Sequence, residues 1–127
     1  DVVLVDATRP LKGEYLFPRG LLREPVGGLR RAGAIILTRC DQAGPESVAG
    51  QRAWLADRFP GTPIAAAVHA PVALLGGPEP EPAATLRGRT VGAFCGIGNP
   101  AAFRRTIEDL GATVVAFEAF PDHHPYD

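Results

Sequence analysis

Ala34-Ile35-Ile36-Leu37 is uninterrupted apolar sequence that runs into the polar group Thr38-Arg39-Cys40-Asp41. A strand with one wet face alternates apolar and polar residues, whereas a strand covered on both faces is apolar along its length. Val2–Val5, Ile64–Val68, Val91–Cys95 and Val114–Phe117 are runs of the same kind, rich in β-branched residues or alanine. Short doubly covered strands belong in a parallel sheet with helices packed on it. The fold class read from these runs is therefore α/β, a three-layer parallel sheet with flanking helices.

The intervening segments carry helical signals. Across Pro45–Phe59, the residues Val48, Leu55 and Phe59, with Trp54 beside them, follow helical spacing after a proline suited to a first turn. A second helix starts at Asn99, a good N-cap, with Pro100 at its first position. It presents Phe103, Ile107 and Leu110 on one face and stops at Gly111. Arg104, Arg105, Glu108 and Asp109 on its other face form a solvated surface. A short helical stretch is expected at Val26–Arg31. Thr8–Pro25 is an irregular connection, where compact domains use about 4–6 residues, and loops of that length are functional or disordered. Gly76–Pro82, with its Pro-Glu-Pro-Glu-Pro run, reads as an extended, solvated linker.

The 127 residues suffice for one domain with a single core, and 46% hydrophobic with 21% charged residues excludes a disordered tail. A net charge of -1 provides no positive field for a phosphate polymer, so nucleic acid is not an expected partner. The apolar stretches are too short, or too interrupted by His69 and Pro71, to span roughly 30 Å of hydrocarbon. Cys40 and Cys95, far apart in sequence, read as a reduced intracellular pair, which fits a cytoplasmic setting. The chain has no methionine and opens inside an apolar run, so residues 1–127 are expected to be a partial α/β domain from a longer protein.

Four groups of residues could carry chemistry. Arg23-Glu24 closes the long loop and offers a cation for phosphate oxygens beside a carboxylate for a hydroxyl or metal-bound water; the alternative is a surface ion pair. Thr38, Arg39 and Asp41 follow a strand, at the edge where open α/β sheets bind ligands, and could grip a nucleotide base or ribose. Their spacing partly matches the [NT]-K-x-D element of guanine-nucleotide proteins, and an ordinary polar strand end is the alternative. Gly96-Ile97-Gly98-Asn99-Pro100 opens a helix whose first amides favour an anion, without completing a dinucleotide or phosphate-loop signature. Asp122-His123-His124 could bind metal, orient a general base or shuttle a proton. His69, in His69-Ala70-Pro71, is read as a structural hydrogen-bonding residue.

The order of these groups is more specific than any one of them. Val3–Pro10, then Leu16–Pro25 ending in Leu22-Arg23-Glu24-Pro25, then His69-Ala70-Pro71, then Phe94–Pro100, and finally Phe120-Pro121-Asp122-His123-His124 together resemble the tetraacyldisaccharide 4′-kinase family. The likeness covers essentially the whole chain. It departs from the family at Leu11-Lys12-Gly13-Glu14-Tyr15, where a Phe-Gly-Asn-Gly-like run is more usual.

The resemblance implies a P-loop kinase-like fold. It also implies transfer of the γ-phosphoryl of Mg-ATP to the 4′-hydroxyl of a tetraacyl glucosamine disaccharide 1-phosphate, the lipid A precursor. By the same likeness Arg23, Glu24, Asp122 and His123 are catalytic, with His123 beside a carboxylate supplied from outside this chain. Thr38, Arg39 and Asp41, from their residue types and place after a strand, are assigned to the nucleotide, and no residue is assigned to a metal. ATP and Mg²⁺ are the implied cofactors. The family's setting is the cytoplasmic face of the bacterial inner membrane, reached as a peripheral protein through segments outside residues 1–127. The Walker A loop and an Asp-Asp-Gly-Phe-Gln-His segment are expected before Asp1, so the chain alone is expected to be inactive and to self-associate. The rival readings are an Asp-His-His metal phosphoesterase and a non-catalytic α/β module that binds a sugar or nucleotide.

Overall fold

All five apolar runs form strands, the third only over Ile64–Ala66 of Ile64–Val68, and each lies parallel to its sheet neighbours. The computed structural model describes residues 1–121. The single sheet expected from the sequence is instead two parallel sheets, one in each of two compact units. The first unit is Asp1–His69, and the second begins at Ala70.

In the first unit the strands β1 (Val2–Asp6), β2 (Ala34–Thr38) and β3 (Ile64–Ala66) lie side by side in chain order. Val5 is level with Leu37, and Ile35 with Ile64. Two helices follow β2: α1 (Cys40–Ala43) and α2 (Pro45–Arg58). Gly44, with φ at +79°, makes the corner between them, a conformation that L side chains rarely adopt. The stripe Val48, Gln51, Leu55 and Phe59 turns α2 onto the sheet. There Leu55 and Phe59 join Val5, Ala7, Ile35 and Leu37 in a buried core. A 3₁₀ turn at Val26–Arg31, in the place where a short helix was expected, adds Val26 and Leu29 to that core.

Burial is one-sided along β1, contrary to the doubly covered strand expected. Val5 is buried while Val2 and Leu4 are 61% and 66% exposed. Adjacent residues of a strand point to opposite faces, and the core described above takes only the alternate ones.

Gln51 is the polar member of the α2 stripe, and its burial is matched by a hydrogen bond. Its Nε2 donates to the Ala7 carbonyl at 2.6 Å. Ala7 is fully buried just past the end of β1, so this bond satisfies a carbonyl shut away from water.

The second unit is built on a βαβ repeat: β6 (Thr90–Cys95), α3 (Pro100–Asp109) and β7 (Thr113–Ala119). The Asn99 side chain caps α3 by accepting from the Ala102 amide at 3.1 Å, and Gly111 ends the turn with φ at +87°. Ile107 faces inward, and Arg104 pairs with Glu108 at 2.9 Å on the exposed face, as their spacing requires. The register shifts by one residue after Val91, so Gly92 lies opposite Ala116. Gly76–Pro82 is solvent-exposed, as expected, but it does not run straight. The chain turns at Gly76, and β5 (Glu81–Pro82) pairs antiparallel with β4 (Ala73–Leu74). No helix among the described residues is long and apolar enough to cross a membrane.

Candidate active site

Parallel strands bring their carboxyl ends to one edge, and in the first unit that edge gathers most of the polar residues singled out in the sequence. Asp6 ends β1. Its carboxylate accepts from the Thr8 hydroxyl at 2.6 Å and the Thr8 amide at 2.9 Å, a local turn stabilised by the side chain. Arg39 lies just after β2 in the left-handed region, φ 56°, and its Nη1 donates to Asp6 Oδ2 at 2.8 Å. Partial burial alone would raise the Asp6 pKa. The two Thr8 hydrogen bonds and the nearby Arg39 and Arg9 charges outweigh it and hold the carboxyl below its ordinary value.

A cleft of about 310 Å³ opens beside this edge. Val3, Val5, Leu22, Val26 and Leu29 give it an apolar lining, and Asp6, Arg9, Glu14, Arg23 and Glu24 supply its polar groups. Its far wall is the loop Thr8–Pro25, which the structure shows to be ordered by its own hydrogen bonds. Phe17 N donates to the Leu22 carbonyl at 2.9 Å, and Leu22 N to the Tyr15 carbonyl at 3.1 Å. Glu14 Oε1 accepts from the amides of Tyr15 at 3.0 Å and Leu21 at 3.2 Å. A Cβ on Gly20 would collide with the Tyr15 carbonyl and the Glu14 carboxylate, so the loop closes only with glycine there.

The structure thus brings Arg23 and Glu24 into one cleft with Asp6 and Arg9. The Arg23 guanidinium sits 5.2 Å from the centre of the Phe17 ring, and Arg19 stacks similarly on Tyr15 at 3.8 Å. Glu24 accepts from Arg31 Nη2 at 2.6 Å, both side chains being well exposed. The carboxylate pairs with Arg31 rather than with the adjacent Arg23.

Thr38 ends β2, Arg39 and Asp41 follow it, and each side chain already has a protein partner. Thr38 Oγ1 donates to the Val5 carbonyl at 3.4 Å, Arg39 holds Asp6, and Asp41 Oδ1 accepts from the His69 amide at 3.4 Å. His69 therefore makes its hydrogen bond to Asp41 through the backbone. Asp122, His123 and His124 lie outside the described residues. Among the described residues, no three His, Cys, Asp or Glu side chains are grouped to hold a metal ion.

Asp6, Arg9 and Arg31 are the residues of this edge that sequence reasoning left without a role. The signal for Asp6 was present, since an Asp-x-Thr at the end of an apolar run forms this kind of turn. The signal for Arg31 was absent, because a pairing across seven residues through a 3₁₀ turn has no helical spacing to announce it.

Comparison with known proteins agrees with this picture. Residues 1–127 match the family described as LpxK, tetraacyldisaccharide-1-P 4'-kinase. A tetraacyldisaccharide 4'-kinase of Anaeromyxobacter dehalogenans (strain 2CP-C) is 46% identical over 99% of this chain and 34% of its own length. One of Syntrophus aciditrophicus is 40% identical over 100% of the chain and 36% of its own length. The chain thus spans about a third of the length of the curated relatives it matches. The crystal structure of the "apo" form of LpxK from Aquifex aeolicus in complex with ATP superposes with a TM-score of 0.61. It is 27% identical, and the match covers 97% of this chain and 35% of that one. With every residue of the sequence inside the match, and the α/β fold shared with a solved member, the chain belongs to the tetraacyldisaccharide-1-P 4'-kinase family.

Proposed function

We propose that this chain forms the acceptor-side wall of a kinase that phosphorylates the 4′-hydroxyl of a tetraacyl glucosamine disaccharide 1-phosphate, a step of lipid A synthesis. The observation that carries the reading is the cleft at the end of β1. There Arg23 and Glu24, a guanidinium and a carboxylate, line one apolar-walled opening. Such a pair suits phosphoryl transfer, in which the protein's contribution is positioning and electrostatic stabilisation rather than covalent chemistry.

Bound Mg-ATP would supply the γ-phosphoryl group and the metal charge that offsets its oxygens. Arg23, with Arg9 beside the same cleft, offers planar donors to phosphate oxygens. Glu24 offers an acceptor for a hydroxyl or for a water of Mg²⁺, an ion that keeps most of its waters and takes one or two protein carboxylates. His123 is assigned to orient the base and to respond as the sugar proton leaves, with Asp122 fixing the ring or binding nearby polar groups.

Thr38, Arg39 and Asp41 are assigned to the nucleotide. The Thr38 and Asp41 contacts, at 3.4 Å, are long enough to give way to a ligand, and Arg39 reaches the cleft residue Asp6 directly. The apolar cleft lining suits an amphiphilic acceptor. Peripheral attachment at the cytoplasmic face of the inner membrane is assigned to parts of the protein beyond these residues.

The test is made in an enzyme of the family's full length that carries this segment. Arg23→Ala and Glu24→Ala should each lower kcat/KM about a hundredfold or more while leaving the melting temperature in place. Full activity in either variant would overturn the site assignment.

A further inference from the structure

Glu24 has three side-chain torsions and little packing, since its side chain is 63% exposed. Free rotation would sweep its carboxylate across the mouth of the cleft. Two features of the Val26–Arg31 turn favour one position instead. Arg31 Nη2 donates to Oε2 at 2.6 Å, from the far end of the turn. On the near side the carboxylate rests against the bare Cα of Gly28, where an added Cβ would come within 2.5 Å of Oε2 and 3.0 Å of Cδ. Gly28 has no positive φ, so an added Cβ there would displace the Glu24 carboxylate rather than strain the backbone. Its neighbour Gly27 makes the contrast, because a Cβ on Gly27 would meet nothing within 4 Å.

We propose that Arg31 and Gly28 form a seat that positions the Glu24 carboxylate in the cleft, Arg31 by a charged hydrogen bond and Gly28 by leaving room. The proposal rests on the reading of Glu24 as an active-site residue. An ion pair this exposed adds little to stability, so the consequence of the pair is orientation. A carboxylate held in one rotamer loses less freedom when the acceptor and phosphate arrive, which raises turnover rather than affinity. Arg31 and Gly28 are positioning residues; they act through Glu24.

The experiment measures kcat, KM for ATP and melting temperature in the full-length enzyme. Arg31→Gln and Gly28→Ala should lower kcat about tenfold with KM for ATP and melting temperature unchanged. Arg31→Lys should recover part of the loss, and Gly27→Ala should match the parent. In the double variant Arg31→Gln with Glu24→Gln, activity should be no lower than in Glu24→Gln alone, because the seat then has nothing to position. Losses that multiply in the double variant, or a parental kcat in Arg31→Gln, would overturn the positioning while the site reading stands. A parental kcat in Glu24→Gln would overturn the site reading and the positioning with it.

Discussion

Arg39 and Asp6, 33 residues apart, join the carboxyl ends of two adjacent parallel strands through a 2.8 Å ion pair. The pair exists because β1 and β2 run in register, with Asp6 level with Thr38, the residue before Arg39. The left-handed backbone at Arg39 then turns the side chain back across the sheet edge.

Stability should depend on the charge of Asp6. Its carboxyl titrates below the ordinary value in the folded state, so its stabilising contribution is complete above the unfolded aspartate pKa of about 3.9. The contribution fades as pH falls through the lower folded value. Asp6→Asn should cost about 0.5–1 kcal/mol near pH 7, given the partial exposure of both partners. Urea unfolding across the pH range should show the difference from the parent closing below about pH 4. A difference that persists unchanged in acid would refute the linkage.

Gln51 is the next point of sensitivity. Replacing it by leucine keeps the apolar contacts of α2 but strands the Ala7 carbonyl in a dry site, at a cost of about 1–3 kcal/mol. Chemical denaturation of Gln51→Leu measures this. An unchanged midpoint would mean that water reaches the carbonyl.

The chain of residues 1–127 alone should self-associate. Among the described residues β1 pairs only with β2, and Val2 and Leu4 are exposed along it. A strand edge with apolar side chains invites pairing with a second chain. Sedimentation at rising concentration should show dimers or larger species, and a lasting monomer would count against the prediction. Leu4→Lys should reduce the association.

The two adjacent histidines should differ in the full-length enzyme. His123→Ala should reduce kcat by about a hundredfold or more with ATP affinity nearly intact, since orienting a base matters in the transition state. His124→Ala should do much less. Steady-state kinetics with direct ATP-binding measurements separate the two effects. Equal losses accompanied by loss of a bound metal would favour the phosphoesterase chemistry instead.

What was readable in the sequence was whatever repeats with a local period or depends on neighbouring residues. The five strands, the α2 stripe ending at Phe59, the Asn99 cap and the Gly111 stop are of this kind, as is the ordered set of motifs that marks the family. Strand and helix periods are properties of the backbone, and caps and stops act within one turn, so these features survive without any knowledge of the fold.

The tertiary structure alone decided which side chains meet. Asp6 with Arg39, Gln51 with the Ala7 carbonyl and Glu24 with Arg31 are pairings set by strand register, helix docking and the course of a 3₁₀ turn. It also decided that five similar strands divide into a three-stranded and a two-stranded parallel sheet, and that alternate residues of β1 stay exposed. Apolar runs of like composition carry no address for one another. Which runs pair, and which of their faces are covered, depends on contacts between residues distant in sequence, and those contacts form only when the chain folds.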